Sequence, residues 1–161
     1  MKLTAKDIMV RDFDTIQFNA PIEEAVKLIF NGKVRATGHK TVSVIVTDQL
    51  GQVVGVLTMF DILYHLRPPI LNYLVDRLDF WDGEVESYVE HFKGLTVEQV
   101  MHSPVRYISP DADLMVIIDR MVREKCRRLP VMENARVTGI VYLSEVFYHL
   151  CMSWLKTPPT T

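Results

Sequence analysis

Two stretches of the chain carry apolar residues at the three- and four-residue spacing of an amphipathic helix. The apolar positions are Ile22, Ala25, Val26 and Ile29 in the first stretch, and Leu114, Ile117, Ile118 and Met121 in the second. Each set forms one apolar face, which predicts a helix packed on one side against a core. Pro21 precedes the first stretch and Ser109, Pro110 and Asp111 precede the second, as is typical of helix starts.

A pair of apolar runs follows each predicted helix. The runs are TVSVIVTD and QVVGVLT in the first half, and LPVME and RVTGIVY in the second. Turn residues at 49–51 and at 134–135 separate the members of each pair, which predicts two β-hairpins. Short extended segments, 14–18 and 106–109, precede the helices, and a last helix starts near Asp61 or Glu145. Each half is therefore predicted as strand, helix, strand, strand, helix.

The two halves are copies of one unit. KDIMVRDFDTIQFNAPIEEAVKLI aligns without gaps with EQVMHSPVRYISPDADLMVIIDRM, so that Met9 falls on Met101. The first copy then carries extra residues around NGKVRATGHKTV, after which Gly55 of GVLTMFDIL falls on Gly139 of GIVYLSEVF. This self-similarity identifies a tandem repeat. We predict repeat 1 over 1–66, a helical linker over 67–94, repeat 2 over 95–155 and a flexible tail over 156–161.

The linker is predicted to be an ordered helical insert. Pro68 and Pro69 end the helix before it. Its apolar face comprises Ile70, Leu71, Leu74, Val75 and Leu78, and its aromatic residues are Phe80, Trp81, Tyr88 and Phe92. Aromatic residues at such irregular spacing favour packing over the stacking of a base.

Composition narrows the class of protein. The chain has 161 residues, of which 48% are hydrophobic, enough for one domain or two small ones that share a core. The net charge of −2, with both signs interspersed, provides no basic field for nucleic acid. The longest apolar stretch is interrupted by Glu145 and His149, and no signal-peptide core is present, so we expect a cytoplasmic protein without a membrane span. Cys126 and Cys151 lack metal-ligand spacing, which predicts reduced thiols and no metal.

The repeats resemble the cystathionine-beta-synthase (CBS) domain, in the tandem arrangement called a Bateman module. The resemblance rests on the D-I-M start, on the G-h-x-T-x-x-D pattern at residues 55–61 and on RRLPV in the second copy. It implies an α/β (α+β) fold of two β-α-β-β-α repeats, packed as a pseudo-twofold pair around two clefts. Such clefts bind adenosine compounds such as AMP, ADP, ATP or S-adenosylmethionine, and such modules commonly form homodimers through their helices.

Thr58 and Asp61 are the first candidate ligand residues. A carboxylate can accept hydrogen bonds from both cis hydroxyls of a ribose, and a threonine hydroxyl can donate to a sugar or phosphate oxygen. Both residues lie where a predicted strand gives way to a helix, whose free N–H groups favour phosphate. The alternative is that the pair only caps that helix.

The resemblance assigns further positions to the same cleft. Arg127 and Arg128, just before LPV, would meet the phosphates of the ligand. Val56 and the backbone around Pro104 and Arg106 would lie beside the adenine. The alternative for the arginine pair is a solvated charge at a helix end, where the helix dipole favours cations.

The second cleft departs from this pattern. Tyr142 replaces the small hydroxyl residue, and Glu145 replaces the aspartate with a longer side chain. The equivalent positions before the first hairpin, residues 42–44, contain no basic side chain, although His39 and Lys40 lie nearby. We expect a second, weaker site that is empty, weak or closed by Tyr142.

The sequence favours binding over catalysis. It contains no nucleophile motif, P-loop, dinucleotide fingerprint or metal-binding histidine pair. His149 and Cys151 are two residues apart on a predicted helix and therefore point to different faces. We expect a regulatory module that senses an adenine nucleotide and signals to an unidentified effector protein. The alternative is a structural or interaction module whose clefts no longer bind nucleotide and whose aromatic insert contacts a partner.

Overall fold

The computed structural model describes residues 2–68 and 84–155, and the fold is mixed α/β with two compact units. One unit, the three-stranded unit, comprises the described parts of Asp14–Gly32 and Val42–Pro104. The other, the two-stranded unit, comprises the described parts of Met1–Phe13, Lys33–Thr41 and Val105–Thr161.

The described residues of the three-stranded unit form three strands and four helices. Its elements are β1 (Thr15–Gln17), α2 (Ile22–Phe30), β2 (Ser43–Thr47), β3 (Val53–Thr58), α3 (Met59–Leu66), α4 (Glu84–Lys93) and α5 (Val97–Val100). β1 runs parallel to β2, and β2 pairs antiparallel with β3, which confirms the first predicted hairpin. The core is built from α2, the sheet and the last two helices, and includes Ile22, Ala25, Val44, Leu57, Phe92, Val97 and Val100.

The two-stranded unit repeats most of this pattern. Its elements are α1 (Ala5–Ile8), α6 (Leu114–Glu124), β4 (Arg128–Glu133), β5 (Arg136–Tyr142) and α7 (Leu143–Leu155). β4 and β5 form the second predicted hairpin, and positive φ angles of 53° at Asn134 and 62° at Ala135 form its turn. Its core includes Ala5, Ile8, Ile117, Met121, Leu129, Val131 and Val141.

The strand predicted at 106–109 is reduced to a single parallel bridge, Ile108 to Val131. In the first repeat, the Ile45 N–H donates to the carbonyl oxygen of Asp14 at 3.1 Å and extends the equivalent pairing. The residue at the position of Ile45 is Pro130, which has no N–H to donate. The ladder therefore stops after the two hydrogen bonds of Ile108, to Pro130 at 3.0 Å and from Met132 at 3.0 Å.

Part of the predicted linker is described by the structure, and residues 84–93 of it form a helix. α4 covers its last part, and Phe92 is buried in the core of the three-stranded unit, which confirms a packing role for that aromatic residue. The predicted apolar face between Ile70 and Leu78, together with Phe80 and Trp81, lies outside the described residues. Within the described ranges, no helix is long and apolar enough to cross a membrane. Both cysteines are free.

Each compact unit combines segments of both sequence repeats. The short helix α5, from the start of the second repeat, packs against α2, α3 and β3 of the first repeat. In the same way, α1 from the start of the first repeat packs against β5 and α7. The sequence pattern predicted neither short helix. The division of the chain into repeats at 66 and 95 remains a prediction about the sequence.

The glycine shared by the two repeats accommodates a methionine at this junction. A side chain at Gly139 would place its Cβ 2.5 Å from Met9 Sδ and 2.7 Å from Met9 Cγ. At Gly55, the Cβ would lie 2.9 Å from Met101 Cγ. The glycine is therefore needed because the methionine of the other repeat packs directly on the strand backbone.

Gly139→Ala should lower the free energy of unfolding by about 1–3 kcal/mol, because the added methyl group overlaps Met9. Combining it with Met9→Ala should cost less than the sum of the two single changes, as expected for residues in contact. Urea denaturation of the four proteins measures this coupling. Gly94→Ala is the matched control, because its Cβ would approach nothing closer than His91 O at 3.5 Å. Equal effects of Gly94→Ala and Gly139→Ala would contradict the packing explanation.

Candidate functional site

Thr58 and Asp61 form a capping box at the start of α3. The Thr58 N–H donates to Asp61 Oδ2 at 2.8 Å, and the Asp61 N–H donates to Thr58 Oγ1 at 3.4 Å. The Thr58 hydroxyl also donates to Asp61 Oδ2 at 2.9 Å. Thr58 is 5% exposed and Asp61 9%, so both polar residues are nearly buried. The capping role considered as an alternative is therefore real, and it fixes the orientation of the carboxylate.

His102 is a further contact of this carboxylate that sequence reasoning missed. Its Nδ1 donates to Asp61 Oδ2 at 2.8 Å, and its side chain is 52% exposed. Burial of Asp61 favours the neutral carboxyl, but the hydrogen bonds from His102 and Thr58 outweigh it and hold the pKa of Asp61 below the ordinary aspartate value. Within the described residues, every hydrogen bond to the carboxylate goes to Oδ2, and none goes to Oδ1.

The position of His102 follows from the packing of Met101. Because Met101 lies against Gly55, the next residue pairs with the next strand position: the Val56 N–H donates to His102 O at 3.1 Å, and the His102 N–H donates to Val56 O at 3.0 Å. The alignment of the two repeats matched Met9 with Met101 and Gly55 with Gly139, and this match is the sequence signal that could have located His102. Val56, His102 and Asp61 thus lie together at one end of β3.

The predicted site residues are divided between the two units. Thr58, Asp61, Val56 and Pro104 belong to the three-stranded unit. Arg106, Arg127 and Arg128 belong to the two-stranded unit.

The arginines lie at the start of β4 and beside α6. Arg128 pairs with Tyr142 across the hairpin, and Arg127 is exposed and accepts a backbone hydrogen bond from Leu143 at 2.8 Å. Arg106 is 63% exposed at its side chain and lies 3.6 Å from Glu124. Arg127 and Arg106 therefore present charge to solvent.

The acidic residue of the second repeat has a different environment. Glu145 forms an ion pair with Arg35, whose side chain is 8% exposed, while that of Glu145 is 6% exposed. Thr37 Oγ1 donates to Glu145 Oε1 at 2.7 Å, and Ser144 Oγ donates to Oε2 at 2.7 Å. The guanidinium carbon of Arg35 lies 3.8 Å from the centre of the Tyr142 ring. The basic residue at this position is thus Arg35, while His39 and Lys40 are exposed.

Among residues 2–68 and 84–155, no group of three or more histidine, cysteine or acidic residues is arranged to hold a metal ion. The polar groups of the two acidic sites are instead arranged for hydrogen bonding. Each carboxylate lies in the first turn of a helix, where the free N–H groups and the helix dipole favour negative charge.

The fold and these paired acidic sites define a tandem of CBS domains. The family model of the CBS domain matches residues 5–68 and 97–151, and the chain therefore belongs to this family.

The chain is also similar to a protein kinase subunit. The chain is 28% identical over 144 residues to the 5'-AMP-activated protein kinase subunit gamma-3 of Sus scrofa, a match that covers 89% of this chain and 24% of that protein. The chain therefore spans about a quarter of the length of this relative.

Solved structures share the fold. The CBS domain of a CBS domain containing membrane protein from Sphaerobacter thermophilus superposes with a TM-score of 0.68 at 25% identity, over 91% of this chain and 87% of that one. CBSX2, solved in complex with AMP, has a TM-score of 0.68 at 19% identity, over 94% and 98% of the two chains. The α/β fold with two CBS repeats predicted from the sequence is thus confirmed.

Asp61→Ala removes the carboxylate of the capping box and should lower the free energy of unfolding by about 1 kcal/mol at neutral pH. Because the pKa of Asp61 is lower in the folded protein than in the unfolded chain, this contribution is fully present above the ordinary aspartate pKa of about 3.9 and is lost progressively as the pH falls below that value toward the lowered pKa of the folded protein. Urea denaturation at about pH 5.5 and about pH 3.5 should therefore show the difference between wild type and variant shrinking with acid. A difference that stayed constant or grew would contradict the lowered pKa.

Proposed function

We propose that this CBS pair is a regulatory module that binds an adenine nucleotide, with AMP as the first candidate. The observation that carries the proposal is the carboxylate of Asp61. It is nearly buried and held in one orientation by Thr58 and His102 through Oδ2 alone. Oδ1 can then accept from a ribose hydroxyl without loss of the helix cap, and a second hydroxyl can replace the half-exposed imidazole.

We propose the remaining contacts as the resemblance to CBS domains predicts them. Arg127 and Arg128 would meet the phosphates, where guanidinium groups form strong charge-assisted hydrogen bonds. Val56 and the backbone near Pro104 and Arg106 would lie beside the adenine. The exposure of Arg127 supports this role, because its charge is available to an incoming anion.

The relatives support an adenine nucleotide as the ligand class. CBSX2 was solved with AMP, and the cytosolic domain of MgtE, a further structure with this fold, was solved with ATP. The related gamma-3 chain is by name a subunit of an AMP-activated kinase, so it works within an assembly. We extend this to a module whose nucleotide occupancy is relayed to an effector protein in the cytoplasm. A ligand that favours one arrangement of the chain shifts the population toward it, which is sufficient for a signal.

Calorimetric titration with AMP, ADP, ATP and S-adenosylmethionine tests the proposal. AMP should bind to the wild type, and Asp61→Ala should weaken binding roughly tenfold or more, because hydrogen bonds to a charged group are lost. Absence of both heat and thermal shift with all four compounds would reject the proposal.

The matched control is Asp7→Ala. Asp7 forms the same type of capping box with Thr4 at α1, with Thr4 N to Asp7 Oδ2 at 2.8 Å, in the other unit. Equal losses of AMP affinity in the two variants would attribute the effect to folding rather than ligand contact. Glu145→Ala is unsuitable as a control, because it would leave the buried charge of Arg35 uncompensated.

Exposed apolar side chains favour a second candidate function, that of a protein-interaction module without nucleotide. On α3, Phe60 is 74% and Leu63 63% exposed; on α7, Phe147 is 66% and Trp154 68% exposed. Surfaces of this kind commonly mark protein contacts. The same surfaces serve the nucleotide module if a second copy of the chain covers them, and we propose that the module is a homodimer.

Light scattering after size-exclusion chromatography should give the mass of a dimer at micromolar concentration, and Phe147→Asp should shift it to that of a monomer by placing a charge in the apolar contact. Leu50→Asp is the control, since Leu50 is 73% exposed in the turn between β2 and β3 rather than on a helix. A monomeric wild type, or equal effects of the two variants, would contradict the helix-mediated dimer.

A further inference from the structure

We propose that residues 33–41, the Arg35 hairpin, are a built-in occupant of the second repeat's acidic site. Arg35 and Thr37 donate hydrogen bonds to the two carboxylate oxygens of Glu145, which would otherwise accept from the hydroxyls of a sugar. The consequence for nucleotide stoichiometry rests on the proposed function, whereas the occupation of Glu145 by the hairpin does not.

The hairpin is an ordered structure. Val34 and Lys40 form an antiparallel bridge, and the Arg35 N–H donates to His39 O at 2.8 Å. The Gly38 N–H closes the turn by donating to Arg35 O at 2.8 Å, with Gly38 at a φ of +88°, which favours glycine. This segment has no counterpart in the second repeat. The extra residues of the first repeat thus form a hairpin that positions Arg35 and Thr37 beside Glu145.

Both oxygens of the Glu145 carboxylate accept hydrogen bonds from the protein. Arg35 Nη1 donates to Glu145 Oε2, and the same oxygen accepts from Ser144. Thr37 takes Oε1 at 2.7 Å. Both oxygens therefore have donors from the protein, in contrast to Asp61, where Oδ1 has none from the described residues.

Tyr142 completes the site for the arginine. Tyr142 is 3% exposed, and the guanidinium carbon of Arg35 lies 3.8 Å from the centre of its ring, a cation–π arrangement that is stronger when desolvated. Tyrosine at the position equivalent to Thr58 is thereby explained. It provides a surface for Arg35 instead of a hydroxyl for a ligand.

Space is not what limits this site. A cavity of about 430 Å³ lies beside the pair and is lined by Met9, Arg35, Thr37, Glu145 and His149 among others, a volume within the usual range for small-ligand pockets. The carboxylate is the group that a ribose would need, and it is already bound. Removal of a buried partner would leave the other charge uncompensated, so the occupation is not easily reversed.

The two acidic sites thus differ in the reversibility of their internal contact. Asp61 is bound by the imidazole of His102, whose side chain is 52% exposed, whereas Glu145 is bound by Arg35, whose side chain is 8% exposed. The first contact can yield to a ligand at little cost, while the second cannot. Arg35 therefore determines that a nucleotide binds at Asp61 rather than at Glu145.

Hydrogen exchange measured by mass spectrometry tests the occupation directly. In the wild type, peptides covering 33–41 should exchange slowly, and in Arg35→Ala they should exchange at least tenfold faster. Glu145→Gln should have the same effect from the other side of the contact. Arg123→Ala is the control, because Arg123 forms an exposed ion pair with Asp119 on α6, at 2.9 Å, in the same unit. Unchanged exchange in both test variants would overturn the inference.

AMP titration tests the consequence. The wild type should bind one AMP per chain, and Arg35→Ala/Tyr142→Thr should bind two. Two AMP per wild-type chain, or one per variant chain despite an opened hairpin, would overturn the inference. A wild type that binds no AMP would reject the proposed function alone, and the exchange data would still decide the role of the hairpin. If the double variant does not fold, Arg35→Lys provides a milder change that retains the charge but loses the guanidinium plane that lies on the Tyr142 ring, and it should raise exchange in 33–41 to a smaller extent.

Discussion

The structure depends on the contact between a strand glycine and a methionine from the other repeat. Neither repeat completes a core from its own consecutive residues, because α5 supplies Val97 and Val100 to the first hairpin and α1 supplies Ala5 and Ile8 to the second. Apolar area provides the driving force for this exchange. The glycine determines its geometry, since only a residue without a side chain allows the methionine to reach the strand backbone.

The same contact builds the candidate site. With Met101 fixed on Gly55, the backbone of His102 pairs with Val56, and the imidazole reaches Asp61. A packing requirement of the core thus determines which side chain lies beside the acidic residue. In the two-stranded unit, Met9 lies on Gly139 and Val10 pairs with Ile140 in the same way. The two sites share a backbone frame and differ in their polar side chains.

Periodicity was sufficient to predict the longer helices α2 and α6 and both hairpins, because these elements each bury one face or one run of residues. It could not predict that α1 packs on the second hairpin and α5 on the first. An apolar pattern shows which residues are buried, but not which partner buries them. The prediction of a strand at 106–109 was wrong because Pro130, in the neighbouring strand, has no N–H to donate. The sequence of a segment does not show which hydrogen bonds its partner strand can make. His102 and Arg35 were missed for the same reason: both reach their carboxylates from segments distant in sequence.

Helix capping and ligand binding at Asp61 are compatible, because the two roles use different oxygens of the carboxylate. A capping carboxylate is pre-oriented, and orientation is one of the costs that a bound ligand would otherwise have to offset. Thr58 and His102 meet Oδ2, so the cap and the hydroxyl acceptor are different atoms of one side chain. In the second repeat, Thr37 and Arg35 engage both oxygens of Glu145, and that separation of roles is lost. The difference between the repeats therefore lies in which carboxylate oxygens the chain itself uses, a property that conservation of the acidic residue type alone does not reveal.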